Sequence, residues 1–173
     1  MLLAIEQRSS EVALIRAAQD GDRAAFGELY RQYERLVHGI LLAQVSYHDA
    51  EDLMHDVFVK ALEQLSALRE PAAFPGWLIT IARRLAADHQ RGAQSRRLFH
   101  WLARPAKYSN AEPLAILRTL QQLPETYRET LILRLVEGMT GPEIAARTGL
   151  TPESVRVNLC RGMKILREGL KQR

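Results

Sequence analysis

The 173-residue chain has one cysteine, Cys160, so no internal disulfide can brace it and stability must come from a packed core. No apolar run approaches the roughly 20 residues that a membrane-spanning helix requires. The opening MLLAIEQRSSE turns polar at Glu6 and Arg8, too early for the apolar core of a signal peptide. A cytoplasmic protein with no membrane insertion is expected. There is also no convincing strand, no internal repeat, no low-complexity tract and no constellation of catalytic side chains. What is present is an ordinary globular composition, 47% hydrophobic and 25% charged, enough for one medium domain or two small ones.

The net charge of +4 is mild, but its distribution is uneven. Residues 1–91 carry 10 Lys/Arg against 13 Asp/Glu, net −3. Residues 92–111 carry 4 against 0, and residues 112–173 carry 10 against 7, net +4 and +3. A change of sign near residue 91 points to an acidic partner such as nucleic acid for the later part, and a different partner for the earlier part.

Helical periodicity runs through almost all of the chain. A first helix is predicted from an N-cap at Ser9 or Ser10 to a stop at Gly21. Asp22 caps a long second helix, whose Phe26, Leu29, Tyr30, Tyr33, Leu36, Val37, Ile40 and Leu41 recur at three and four residues and form a core stripe. A third helix is predicted over about 49–66, and a fourth from Phe74-Pro75 to about Gln90. Residues 92–112 lose the period and read as a linker, with a short helical piece around Leu98 to Leu102. Helices resume at about 113–122 and 125–137, the second closed by Gly138.

The densest local signal follows, in MTGPEIAARTGLTPESVRVNLCRGMKILREGL. Thr140 and Glu143 form a T-x-x-E capping box, Gly149 ends a two-turn helix, and Thr151-Pro152 opens the next. Ala145, Gly149 and Val155 stand in the register of a helix-turn-helix: a small residue for close approach, a glycine for the turn, an apolar anchor. At about 100° per residue, Val155, Leu159, Gly162, Met163, Leu166 and Leu170 share one side of the last helix. Glu153, Arg156, Val157, Arg161 and Lys164 share the other, and Cys160 points roughly outward. Arginine on such a face can bond a guanine edge in two places, and lysine can hold phosphate.

Two more surfaces lie in the first half. The fourth helix turns Trp77, Leu78, Ile81, Ala82 and Leu85 inward, leaving Thr80, Arg83, Arg84 and Arg91 off that arc. Arg96 and Arg97 follow. A basic track beside an aromatic suits unstacked, single-stranded nucleic acid, although Arg84 and Asp88 also make an ordinary i,i+4 pair. In YHDAEDLMHDVF, Asp49, Asp52 and Asp56, joined by Glu63, cluster within about 60° of the third helix. Ala50, Leu53, Met54, Val57 and Ala61 occupy its buried arc. His48, Asp52 and His55 have i, i+4, i+7 spacing, but one helix supplies no fourth ligand, so a metal site is not favoured. Exposed neighbouring carboxylates lack the burial that separates the pKa values of an acid/base pair.

The order DAEDLMHDVFVKALEQL, FPGWLITIARRLAADHQR, LPETYRETLILRLVEGMTGPEIAARTGLTPESVRVNLCRGMKILREGL resembles bacterial RNA polymerase sigma factors of the extracytoplasmic-function subclass. The resemblance runs from about Asp22 to Leu170, apart from the linker. It implies an all-α chain of two small helical domains: a region 2-like domain over 1–92, a flexible linker over 93–112, and a region 4-like helix-turn-helix domain over 113–173. It implies no enzyme activity and no cofactor. Asp49, Asp52, Leu53, Asp56 and Phe58 look like the segment that grips the clamp of the polymerase's largest subunit. SALREPAAF and the helix with Trp77, Thr80, Arg83, Arg84 and Arg91 look like the part that captures a flipped base and melts the minus-ten element. Arg134, Glu153, Ser154, Arg156, Val157, Arg161 and Lys164 would face the minus-thirty-five element. An anti-sigma factor is an implied partner. The linker's charge is unusual for a segment sharing space with RNA. Val157, Asn158, Met163 and Arg84 depart from common family residues, which bears on the promoter sequence and not on the role. The competing readings are a helix-turn-helix regulator with a helical sensor domain and a helical metal enzyme built on His48, Asp52 and His55.

Overall fold

The computed structural model describes the backbone of residues 2–99 and 112–171 and the side chains of residues 10–92 and 116–170. Within them every regular element is helical. The order is α1 (Leu2–Gln19), α2 (Arg23–Leu42), α3 (Tyr47–Gln64), α4 (Phe74–Phe99), α5 (Glu112–Gln121), α6 (Glu125–Leu135), α7 (Gly141–Thr148) and α8 (Pro152–Lys171). Two short 3₁₀ turns, Leu65–Ala67 and Pro71–Ala73, join α3 to α4.

Most expected boundaries hold, and the exceptions have physical reasons. Helix α1 begins at Leu2, so Ser9 and Ser10 lie inside it and are not its cap. The sequence LLAIEQR is rich in good helix formers, and two serines cost only a few tenths of a kcal/mol each, too little to start a helix afresh. Helix α3 starts two residues early because Ser46 is the cap, its Oγ accepting from the Asp49 N–H at 3.2 Å. Helix α4 continues to Phe99, so the beginning of the predicted linker is helical: RGAQSRRLF has no proline, and Gly92 alone costs about 1 kcal/mol against alanine. Residues 100–111, the rest of the predicted linker, lie outside the described residues.

The predicted stripe on α2 is the centre of the first bundle. Leu29, Tyr33, Leu36, Val37, Ile40 and Leu41 are buried, while Phe26 and Tyr30 are half-buried at its edge. Helices α1, α3 and α4 pack around it. Rings seal two corners: Tyr30 lies 4.3 Å from Phe58 between centroids, and Tyr33 lies 5.2 Å from Phe74. Burying side chains of this size stabilises by about 1.5–3 kcal/mol each, before chain entropy is counted. On α4, Leu78 and Ala82 are buried as expected, joined by Ile79 and Ala86, whereas Trp77, Ile81 and Leu85 are half-buried.

The second bundle packs α5, α6, α7 and α8 around Leu120, Leu131, Ile144, Val155 and Leu166. Gly162 lets α8 lie close on α6, since a Cβ there would sit 2.5 Å from Leu131 Cδ1. Of the apolar side of α8, Leu159 and Met163 are half-buried and Leu170 is exposed. The two bundles touch along α2 and α6 and along α4 and α7.

Candidate nucleic-acid and protein interfaces

The helix-turn-helix is built by its caps. Glu143 Oε2 accepts from the Thr140 N–H at 2.6 Å and Thr140 Oγ1 accepts from the Glu143 N–H at 3.4 Å, the reciprocal box read from the sequence. The Thr140 backbone donor, then its hydroxyl, hold the Glu143 carboxyl below the usual carboxylate range. Gly149 takes the left-handed conformation, φ +73°, where a side chain would be strained, and its N–H returns to Ala145 at 3.1 Å. Thr151 Oγ1 then accepts from the Ser154 N–H at 3.1 Å and starts α8. With Ala145 and Val155 both buried, the angle between α7 and α8 is set by packing on both sides of the turn.

That angle presents the outer face of α8. Glu153, Arg156, Val157, Cys160, Arg161 and Lys164 are exposed there, and Ser154 is half-buried, its hydroxyl accepting from Thr151 Oγ1 at 2.9 Å. Val157 exposes 39% of its surface on that face. Arg134 is exposed on α6 and donates to the Met139 carbonyl at 3.1 Å, bracing the loop before α7. Asn158 is turned inward and donates to Thr130 Oγ1 at 3.4 Å, so it holds α8 on α6 and is not part of the outer face.

On α4, Thr80, Arg83, Arg84 and Arg91 are exposed. Thr80 Oγ1 donates back to the Gly76 carbonyl at 2.8 Å. Arg83 forms a two-pronged pair with Glu129 of α6, 3.0 Å from Nε and 2.6 Å from Nη2, which raises the guanidinium pKa. Asp88 pairs with Arg91, not with Arg84 as its spacing suggested, and among the described residues Arg84 has no ion-pair partner. Trp77 is half-buried, its ring 5.8 Å from Phe74. The side chains of Arg96 and Arg97 lie outside the described residues.

On α3, Asp52, Asp56 and Glu63 are exposed, and Asp49 is half-buried, within 3.4 Å of His89 Nε2 and accepting from Ser46 Oγ at 2.5 Å. Leu53 and Phe58 are inside the core, at 7% and 3% exposure, with Phe58 against Phe26 and Tyr30. A face offered to a partner in this arrangement is therefore supported by Leu53 and Phe58 and not formed by them. The apolar members that are exposed beside the acids, Val59 and Leu62 at 42% and 51%, were not picked out by periodicity. Their only signal was position: both fall outside the buried arc of the wheel. His48 lies 3.8 Å from Asp52, and among the described residues no three His, Cys, Asp or Glu side chains come together to hold a metal ion.

An all-α chain that joins a capped, basic helix-turn-helix to a bundle with a basic helix and an acidic one has the features of a DNA-binding transcription protein. Comparison with known families narrows this. Residues 29–96 match the family described as Sigma-70 region 2, and residues 114–166 match Sigma-70, region 4. The chain is 32% identical over 159 residues to RNA polymerase sigma factor CarQ of Myxococcus xanthus, covering 87% of this chain and 91% of that one. It is 28% identical to the ECF RNA polymerase sigma-E factor of Escherichia coli strain K12 over 181 residues, covering 93% and 94%. Among solved structures, that of CnrH in complex with the cytosolic domain of CnrY is similar with a TM-score of 0.63 and 27% identity, covering 94% of this chain and 97% of that chain. The chain belongs to the RNA polymerase sigma factors of the sigma-70 family, in the extracytoplasmic-function subclass. Its function is promoter-directed transcription initiation, which does not favour the reading as a two-fold helix-turn-helix regulator. Sigma factors are non-enzymatic initiation factors. Among the described residues no helix is long and apolar enough to cross a membrane.

Proposed function

We propose the following division of labour within that role. The first bundle, residues 1–92, grips the clamp of the polymerase's largest subunit through Asp49, Asp52 and Asp56 on α3, over a floor of Leu53 and Phe58. The same bundle opens the minus-ten element along Trp77, Thr80, Arg83, Arg84 and Arg91. The second bundle, residues 113–173, reads the minus-thirty-five element with Arg156, Val157, Arg161 and Lys164, flanked by Arg134, Glu153 and Ser154. Residues 93–112 are the connection. The observation that carries this reading is the segregation of charge: exposed carboxylates line α3, while the outer face of α8 is basic. Opposite fields suit a basic protein partner and an anionic polymer respectively.

The working protein has no catalytic centre of its own, acts in the cytoplasm and uses no cofactor. CnrH, to which it is similar, is seen with a cytosolic protein domain bound. We read this as support for an anti-sigma partner here. The test is transcription in vitro with sigma-free core polymerase on sheared genomic DNA of the source, with and without the chain, followed by mapping of transcript 5′ ends. Added chain should produce new start sites sharing two upstream elements. Absence of association with core polymerase at low salt would overturn the reading.

A further inference from the structure

None of the surfaces described above draws on α1, yet the end of that helix holds the segment that leads into α4. Gln19 stands in its last turn, on backbone fixed by a left-handed Gly21, φ +95°, and by the Asp22 N–H returning to the Ala17 carbonyl at 3.0 Å. Its amide has two N–H donors, and both serve one loop. Nε2 donates to the Leu65 carbonyl at 3.0 Å and to the Leu68 carbonyl at 2.7 Å, 46 and 49 positions along the chain. The Leu65 carbonyl also accepts from the Leu68 N–H at 3.1 Å, so Gln19 closes the first 3₁₀ turn from outside. The second turn is tied within itself, Glu70 accepting from the Ala72 N–H at 3.4 Å. Leu65 and Pro71 are buried as the two feet of the segment, while Ser66, Ala67, Arg69 and Glu70 between them are exposed. After the second foot the chain enters α4 at Phe74, whose ring lies 5.2 Å from Tyr33 and 5.8 Å from Trp77.

The loop and Trp77 border the track on α4 that is assigned above to opening of the minus-ten element, and the inference rests on that assignment. A base leaves its stack at a cost, and a surface that must order itself to receive the base adds a second cost. A loop already fixed adds none. We propose that Gln19 is a positioning residue for promoter opening: it touches no DNA, and it holds residues 65–70 in the shape that receives the extruded base beside Trp77. An amide suits the task, because it ties two carbonyls without carrying a charge that would draw a phosphate. The two feet differ in what they need. At the second, the ring of Pro71 fixes its own backbone. Leu65, Ser66 and Ala67 have no restraint of that kind, and the tie from α1 supplies it.

Two full-length variants test this. Gln19→Met keeps the length and the helix preference and removes both donors, and Gln19→Lys restores a group that can donate to two carbonyls. Each is assembled with core polymerase and bound to a labelled fork carrying the single-stranded minus-ten element of a mapped promoter, each base in turn being replaced by an abasic site. The parent should lose about fivefold or more in affinity at the captured position. Gln19→Met should bind the intact fork about fivefold more weakly and lose little further at that position, because the base is no longer held. Its response at the other positions, and its affinity for core polymerase, should match the parent. Gln19→Lys should recover the parent's pattern. In the free chain, hydrogen exchange at the amides of residues 65–73 should quicken in Gln19→Met, with the rest of the first bundle unchanged. A Gln19→Met fork profile equal to the parent's would overturn the proposal, as would unchanged exchange in the loop or a Gln19→Lys that behaves like Gln19→Met. Equal losses at every position with weaker core binding would mark Gln19 as a brace for the whole bundle, and overturn it too. Should Gln19→Met unfold, Gln19→Glu takes its place, keeping the shape and turning an oxygen toward the carbonyls. A parent indifferent to every abasic site would instead remove the minus-ten reading itself, and the role of Gln19 with it.

Discussion

Arg156 and Asp52 illustrate how a single side chain acquires a role from its surroundings. Both are exposed, and among the described residues neither has a close hydrogen-bond partner. Arg156 stands near the start of α8, on a face whose opposite side is anchored by Val155. If it reads a base, Arg156→Ala should lower discrimination by about 1–3 kcal/mol at one promoter position, measured by competition among single-base variants. A uniform loss over all sequences would mark a phosphate contact instead. Asp52→Arg reverses charge at the centre of the α3 acids. Polymerase affinity, followed by fluorescence anisotropy, should fall at least about tenfold, and more at low than at high salt. DNA binding by the same variant should not decline. Asn158 shows the converse case, a polar residue assigned to neither face of the wheel, whose amide donates to Thr130 inside the bundle. Periodicity counts apolar positions, and so a buried polar partner such as this one escapes it.

At the scale of the element, the turn between α7 and α8 depends on short-range chemistry that a sequence states openly. Thr140→Ala removes one half of the capping box and should destabilise the chain by about 1 kcal/mol in urea unfolding at neutral pH. The pH dependence has a definite sign. The folded carboxyl of Glu143 lies below its ordinary 4.5, so its share of stability is present above that value and is lost as pH falls through the lower, folded one. The Thr140 hydroxyl is the second donor to the Glu143 carboxylate. The difference between parent and Thr140→Ala should therefore narrow as pH falls through the folded pKa of Glu143, while the part owed to the Glu143 N–H on Thr140 Oγ1 persists. Curves that stay parallel down to acid pH would exclude the hydroxyl as a donor that stabilises the carboxylate. Helix ends without such chemistry were placed less well. Nothing in RGAQSRRLF marks a stop, and α4 runs through it; Ser46 marks a start, and α3 begins two residues before the predicted boundary.

For the whole molecule, the contact between bundles makes cooperativity the informative quantity. Leu131, Ile132 and Leu133 are consecutive and buried, which no single helix face allows unless α6 is covered from more than one direction. Helices α5, α7 and α8 cover one side and α2 covers another. The two bundles should accordingly unfold together. In a Trp101→Phe background, Trp77 fluorescence, which reports the first bundle, and far-ultraviolet circular dichroism should give coincident urea transitions. Leu133→Ala, at the shared surface, should cost about 2–5 kcal/mol and pull the two transitions apart.

The sequence by itself determined the helices, their inward faces, the helix-turn-helix and the change of charge along the chain, because each depends on residues within one or two turns of each other. The family resemblance was legible for the same reason, being carried by local motifs in order. Only the tertiary structure decided that Leu53 and Phe58 lie beneath the acidic face and that Val59 and Leu62 lie on it. It alone also brought Glu129 to Arg83, 46 positions away, and Arg147 to Tyr33. Those relations depend on the distance between elements far apart in the chain, set by side-chain volume and by one glycine at a crossing, and no period within a single helix encodes them.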